Sequence, residues 1–316
     1  MKNILLFAIL LFSLTNCAQN SNSNSVKPLD NKELNAEELF ESAQVEGISI
    51  LEANLLLEQC IDLDSTNAKY YYHQAMLFKE SGYEKTAIEY LGKAIKFDSL
   101  YTEAFAERGY LLFYQNLTEG AMKDLNHALV LDENYYLANY YLGMVFLETE
   151  KYKSAVNSHS KAIENDPTFT NAYLFRGISY GFLEDYNSAI NDLKKAVDLE
   201  PDYSYAYFQL GVFYFETEQY DLVIESMAIV HKLSPDQASV FYYSGVSYYY
   251  NDSISKAIEN LNKFQSQVGS DNRSNYYLGR CYYDLKTYDK AAEYFKKCEE
   301  GGEFYDEANE YIGNFD

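Results

Sequence analysis

The chain contains no tryptophan, and only four prolines, four cysteines and four histidines in 316 residues. Each shortage excludes a class of function. The histidines His73, His127, His159 and His231 stand singly and far apart, and no HExxH, CxxC, phosphate-binding glycine loop or nucleophile elbow occurs. Catalysis, cofactor binding and metal binding therefore have no supporting constellation, and the chain is expected not to be an enzyme. Positive charge is also short: Lys+Arg total 25 against 48 for Asp+Glu, a net charge of −23. Such a field repels nucleic acid, so that partner class is excluded. The acidity itself reads as solvated helix faces. The apolar run Ile4–Phe12 is too short for a bilayer, which needs about 20 residues.

What is abundant is a fixed interval. Gly109, Gly143, Gly177, Gly211, Gly245, Gly279 and Gly313 recur every 34 residues, with Ala75 one step earlier. Twelve residues on stand Ala87, Ala121, Ala155, Ala189, Val223, Ala257 and Ala291. Seven beyond those come Ala94, Ala128, Ala162, Ala196, Val230, Phe264 and Cys298. A constant period of this kind denotes a stacked-repeat solenoid. Units beginning at Ala68, Thr102, Tyr136, Thr170, Ser204, Ala238 and Asn272 each hold two apolar-periodic runs, such as Tyr136–Glu148 and Tyr152–Asn165, with turn residues such as Ser81-Gly82 between them. Each reads as helix, turn, helix. A glycine inside a helix costs about 1 kcal/mol relative to alanine, so seven must be offset. Nesting of the paired helices at the eighth, twentieth and twenty-seventh places supplies the reason. Pro167, Pro201 and Pro235, at the thirty-second place, are expected to stop the second helix.

This pattern resembles the tetratricopeptide repeat (TPR). Aromatics fall where that family has them: Tyr71, Phe105, Tyr173, Tyr207 and Phe241 at the fourth place, and Tyr152, Tyr186, Tyr220 and Tyr288 at the seventeenth. Asn139 and Asn275 depart at the fourth. The resemblance implies an all-α, right-handed superhelical solenoid with seven 34-residue units over residues 68–305. Residues 34–67 read as a degenerate N-terminal repeat, with Ala53, Leu57 and Cys60 in register but Glu41 in the small position, and 306–316 as a capping helix.

Lys2 and the following apolar run have the form of a secretory signal. It ends at Leu14-Thr15-Asn16-Cys17, which resembles a bacterial lipobox, although Asn16 replaces the usual small residue. Residues 1–16 are expected to be the signal and Cys17 the lipidated residue; an ordinary signal with an incidental cysteine is the alternative. Acyl chains contribute about 0.8 kcal/mol per buried CH₂. The Asn/Ser-rich stretch within 17–33 reads as a flexible tether. By resemblance, the address is the cell envelope, on the periplasmic face of the outer membrane; without lipidation the protein would be secreted. Cys60 and Cys298 occupy the small twenty-seventh place as core thiols, while Cys281 and Cys298 share a unit and could pair.

In TPR proteins one arc of the first helix lines a concave groove. At the fifth, ninth and twelfth places this chain puts apolar or aromatic residues everywhere except Lys79, Gly181 and Arg280. The candidate groove comprises Tyr72, Tyr110, Phe113, Tyr140, Met144, Leu174, Phe208, Phe215, Tyr242, Tyr249, Tyr276 and Tyr283. The thirteenth place alternates acid and ring: Glu80, Tyr114, Glu148, Phe182, Glu216, Tyr250, Asp284. Two readings stand. These aromatics pack between neighbouring first helices, or they bind a protein or peptide bearing apolar anchors and basic residues. The second makes the chain a membrane-anchored adaptor. A carbohydrate-binding lipoprotein, or an accessory subunit of an envelope enzyme complex, are the other possibilities. The Lys and Asn pair by which some TPR grooves clamp a carboxylate at the fifth and ninth places is missing from every full unit.

Overall fold

The computed structural model describes residues 35–313; the signal, Cys17 and the tether lie outside them. Among the described residues there are seventeen α-helices and no strand. The first pair is α1 (Ala36–Ala43) and α2 (Ile50–Leu63). The regular pairs follow: α3 (Ala68–Glu80) with α4 (Glu84–Phe97), α5 (Thr102–Tyr114) with α6 (Thr118–Leu131), and α7 (Tyr136–Glu148) with α8 (Tyr152–Asn165). Then come α9 (Thr170–Phe182) with α10 (Tyr186–Leu199), α11 (Ser204–Glu216) with α12 (Tyr220–Leu233), and α13 (Ser239–Tyr250) with α14 (Ile254–Val268). The chain closes with α15 (Asn272–Asp284), α16 (Tyr288–Phe295) and α17 (Tyr305–Gly313).

The chain divides into two compact units, one up to Ala172 and one from Tyr173, the division falling inside α9. In the first unit each helix from α1 to α8 packs on the next, and α5 also touches α7. In the second, α10 to α17 pack in the same succession, with α11 on α13, α13 on α15 and α15 on α17. The fold is an all-α solenoid of helical hairpins.

Side-chain N-caps are sparse in the repeats. Asn35, Ser49 and Asp271 form capping boxes for α1, α2 and α15, and Asn67 and Asp185 cap α3 and α10. Helices α4 to α8 and α11 to α14 have no such cap. Helices of 12 to 15 residues are marginal alone, so packing must hold them.

That packing is a column of glycine against a bulky side chain sixteen residues later. A methyl group placed at Gly109 would stand 2.8 Å from Leu125 Cγ, one at Gly245 2.8 Å from Leu261 Cγ, and one at Gly279 2.5 Å from Phe295 Cδ1. Gly143 meets His159 in the same way, and Gly211 meets Met227. Ala75, Ala87, Ala94 and their equivalents Ala121, Ala128, Ala155 and Ala162 are fully buried beside this column. The filler residues at the twenty-fourth place are among the largest fully buried side chains in the protein. His159 is one of them, a core ring and not a surface ligand.

The second helices α4, α6, α8, α10 and α12 stop at the same register with or without proline. α4 and α6 end at Phe97 and Leu131 just as α8 ends at Asn165 before Pro167. In α4, α6 and α8 the device is an aspartate immediately after the helix. Asp98, Asp132 and Asp166 leave the helical region, and each side chain accepts the N–H two residues on, at 2.9 Å. Pro167 reinforces a stop that Asp166 makes, whereas Pro201 and Pro235 follow Glu200 and Ser234. Between the helices of a pair, the fifteenth place takes a left-handed conformation every time, from Gly82 at φ 77° to Asn116, Glu150, Glu184, Glu218, Asp252 and Lys286 at φ 56–62°.

Candidate functional site

In the first unit the candidate residues sit on α3, α5 and α7. Tyr140 and Met144 are buried, each 7% exposed, whereas Tyr72, Tyr110 and Phe113 are half-buried. Aromatics in two of the links between hairpins pack onto this face. Tyr101 packs on Tyr72 with ring centroids 5.0 Å apart, and Phe169 packs edge-on to Tyr140 at 4.9 Å. These link residues, with Tyr135 and Tyr203, recur every 34 residues. Burial pushes the Tyr101 phenol up to about 12. Tyr72 is raised further, again by burial and then by the charge of Glu107.

Glu107 is the polar centre of this face. Only 5% exposed, it accepts from Lys79 Nζ at 2.6 Å on one oxygen and from the Tyr141 hydroxyl at 3.1 Å on the other. The same Lys79 ammonium stands 4.7 Å from the Tyr110 ring centroid. A cation is thus held between a carboxylate and a tyrosine face.

In the second unit Leu174 is fully buried, and Tyr242, Tyr249 and Tyr276 are 9%, 7% and 7% exposed; Phe208, Phe215 and Tyr283 are half-buried. Tyr243 lies edge-on to both Phe208 and Phe215, at 5.8 and 5.4 Å. Towards the end of the chain the aromatics are covered. Phe304 stacks on Tyr276 at 4.5 Å, and Tyr311 of α17 meets Tyr283 at 4.9 Å. Arg280 donates to the Tyr276 hydroxyl at 2.9 Å and lies 5.2–5.6 Å from the rings of Tyr249, Tyr276 and Tyr311. The structure thus separates the twelve candidates. Six form a buried backing, and six keep partial access to solvent.

No group of three or more His, Cys, Asp and Glu suited to a metal occurs among the described residues. No described helix is long and apolar enough to cross a membrane. Cys60, Cys281 and Cys298 are free and buried, the Cys281 thiol pushed up to about 12 and the Cys298 thiol to about 11 by burial.

Three stretches of the chain match repeat families: residues 68–99 and 244–304 match tetratricopeptide repeat models, and 183–217 a TPR repeat model. These stretches carry tetratricopeptide repeats. The TPR chain is similar in structure to YrrB, described as a TPR protein with an unusual peptide-binding site. The identity is 27%, over 58% of this chain and 95% of that one, with a TM-score of 0.53. It is also similar to PilF of Pseudomonas aeruginosa, at 22% identity over 62% of this chain and 89% of that one, TM-score 0.53. PilW, a type IV pilus biogenesis factor, matches at 16% identity over 66% and 96%, TM-score 0.58. The latter two likenesses concern the TPR fold alone. No protein of curated function matches the chain.

Proposed function

We propose that this TPR protein is a non-catalytic scaffold, held at the cell envelope by a lipid on Cys17, that captures protein partners on the aromatic faces of its first helices. The observation that carries this reading is the division among the twelve candidates. Buried Tyr140, Met144, Leu174, Tyr242, Tyr249 and Tyr276 make a stiff backing, while Tyr72, Tyr110 and Phe113 in one unit and Phe208 and Phe215 in the other remain half-open. Rigid aromatic anchors with partial solvent access are what protein-binding hot spots use. The peptide-binding site described for YrrB supports the same use of the fold. Partners would bring apolar anchors and basic residues, the latter to suit a chain of net charge −23.

The variant Phe208→Ser/Phe215→Ser tests the binding surface. Purified beside the unaltered protein and matched for helicity, it is expected to lose discrete partners from solubilised envelope extract. Retention of the same partners would remove the surface from consideration. Tyr242 and Tyr249 are unsuitable for this purpose, since their burial makes alanine there a packing change. Cys17→Ser tests the anchor independently: the protein is expected to leave the membrane fraction, and continued sedimentation with membranes would contradict lipidation.

A further inference from the structure

Glu216 ends α11 in the second unit and is half-buried, without an ion pair to any described residue. Its surroundings follow from the repeat. Thirty-four residues later, Tyr250 stacks on Tyr220 at 4.7 Å and shares a hydroxyl contact of 3.3 Å with Tyr277. The residues that correspond to those two in the previous repeat are Tyr186 and Tyr243. Both phenols are raised, first by burial, and the charge of Glu216 adds to each. Glu216 is therefore a carboxylate in a slot that the next repeat fills with a ring. Phe215 and Tyr243 stand beside it, 5.4 Å apart. The Glu216 carboxyl is itself raised above the usual glutamate value by burial.

An arginine of α15 that reaches this face is committed elsewhere. Arg273, whose charge also reaches Tyr243, pairs with Asp271 at 3.6 Å and lies 5.1 Å from the Tyr242 ring. The first unit shows the same chemistry completed. There Lys79, at the place Phe215 holds in its own repeat, sits on the buried carboxylate of Glu107 against the Tyr110 ring.

We propose that Glu216, with Tyr186, Phe215 and Tyr243, is a binding subsite for a primary ammonium or guanidinium group supplied by a lysine or arginine side chain of a protein partner. The partner's cation takes the role that Lys79 plays within the first unit. Charge complementarity selects this occupant: a partly desolvated carboxylate beside aromatic rings, with no ion pair to a described residue, favours a cation over an apolar or acidic group. The proposal deepens the scaffold reading and rests on it for the identity of the donor as a protein.

The test is nuclear magnetic resonance of the full chain with labelled tyrosine and phenylalanine. The probes are n-butylammonium ion and, separately, the peptides acetyl-Phe-Leu-Lys-Leu-Phe-amide and its norleucine analogue. Butylammonium is expected to shift Tyr186, Phe215 and Tyr243 resonances in the unaltered protein and at least tenfold more weakly in Glu216→Gln. The lysine peptide is expected to bind at least fivefold more tightly than the norleucine peptide, with the preference lost in Glu216→Gln. Equal butylammonium shifts in the variant, or none in the unaltered protein, overturn the subsite. If Glu216→Gln loses helicity, the unaltered protein at a pH low enough to protonate Glu216 replaces it, and a response that survives protonation is equally fatal. Failure of both peptides to bind while butylammonium still responds leaves the cation subsite standing and rejects the peptide-capture reading.

Discussion

Gly143 and His159 lie so close that a methyl group on the glycine would overlap the imidazole ring. Gly143→Ala would gain about 1 kcal/mol of helix propensity but force an overpacked core, which costs about 1–3 kcal/mol. Net destabilisation is expected. Gly92, in α4, is the internal control. Its only neighbour within 4 Å of an added methyl is the tip of Arg108, at 3.8 Å. Gly92→Ala is expected to stabilise by about 1 kcal/mol. Thermal melts of the two variants should move in opposite directions, and a Gly143→Ala protein that melts higher would contradict the nesting.

The left-handed turn inside each hairpin offers a second measurement. Glu150, Glu184 and Glu218 hold φ 57°, 62° and 59°, a conformation that costs a residue with a side chain about 1–2 kcal/mol. Glycine pays no such penalty but loses more entropy on folding. Each Glu→Gly change is expected to raise stability by about 0.5–1 kcal/mol, read from denaturant midpoints. Destabilisation at all three would show that the glutamate side chains carry contacts worth more than the strain.

Alkali should unfold this protein abruptly. Burial raises the phenols of Tyr72, Tyr101, Tyr110, Tyr135, Tyr203, Tyr205, Tyr242, Tyr249 and Tyr277, that of Tyr101 to about 12. A raised folded-state value means the unfolded chain loses protons first. The associated stability is fully present below the unfolded value, near 10, and is lost as pH rises toward the folded values. Phenolate absorbance and helical ellipticity are expected to change together above about pH 10. Titration of most tyrosines with helicity intact would show that the rings are open to solvent.

Much of the fold was legible because the small residues repeat without interruption. Gly109 through Gly279, with the alanines twelve and nineteen places on, fix the hairpin and its register. The filler column was harder to see, since Leu125, His159, Leu193, Met227 and Phe295 share no chemistry, only burial. Alignment by the 34-residue interval would have placed His159 among them. The left-handed turn was obscured by Glu150, Glu184 and Glu218, because glutamate gives no sign of positive φ. The stop after the second helix was credited to proline, although Asp98 and Asp132 do the same without it.

The candidate surface was legible in position and not in depth. Helical spacing put Tyr72, Tyr140, Leu174 and Tyr242 on one face of their respective helices. It did not say that Tyr101 and Phe169 would cover Tyr72 and Tyr140, or that Phe304 would stack on Tyr276. Exposure depends on how the linking segments fold back, and among 34 tyrosines the link residues did not stand out. Glu107 and its Lys79 partner, 28 residues apart in the sequence and part of no recognisable motif, were likewise visible only in three dimensions.

The central claim is that the half-open aromatic face is where partners dock. A photoreactive phenylalanine analogue at Phe208, compared in living cells with the same analogue at Val130, which is 80% exposed, tests it most directly. Discrete crosslinked proteins from position 208 and none of the same species from position 130 are the predicted result. An identical pattern from both positions, or none from 208, would contradict the account.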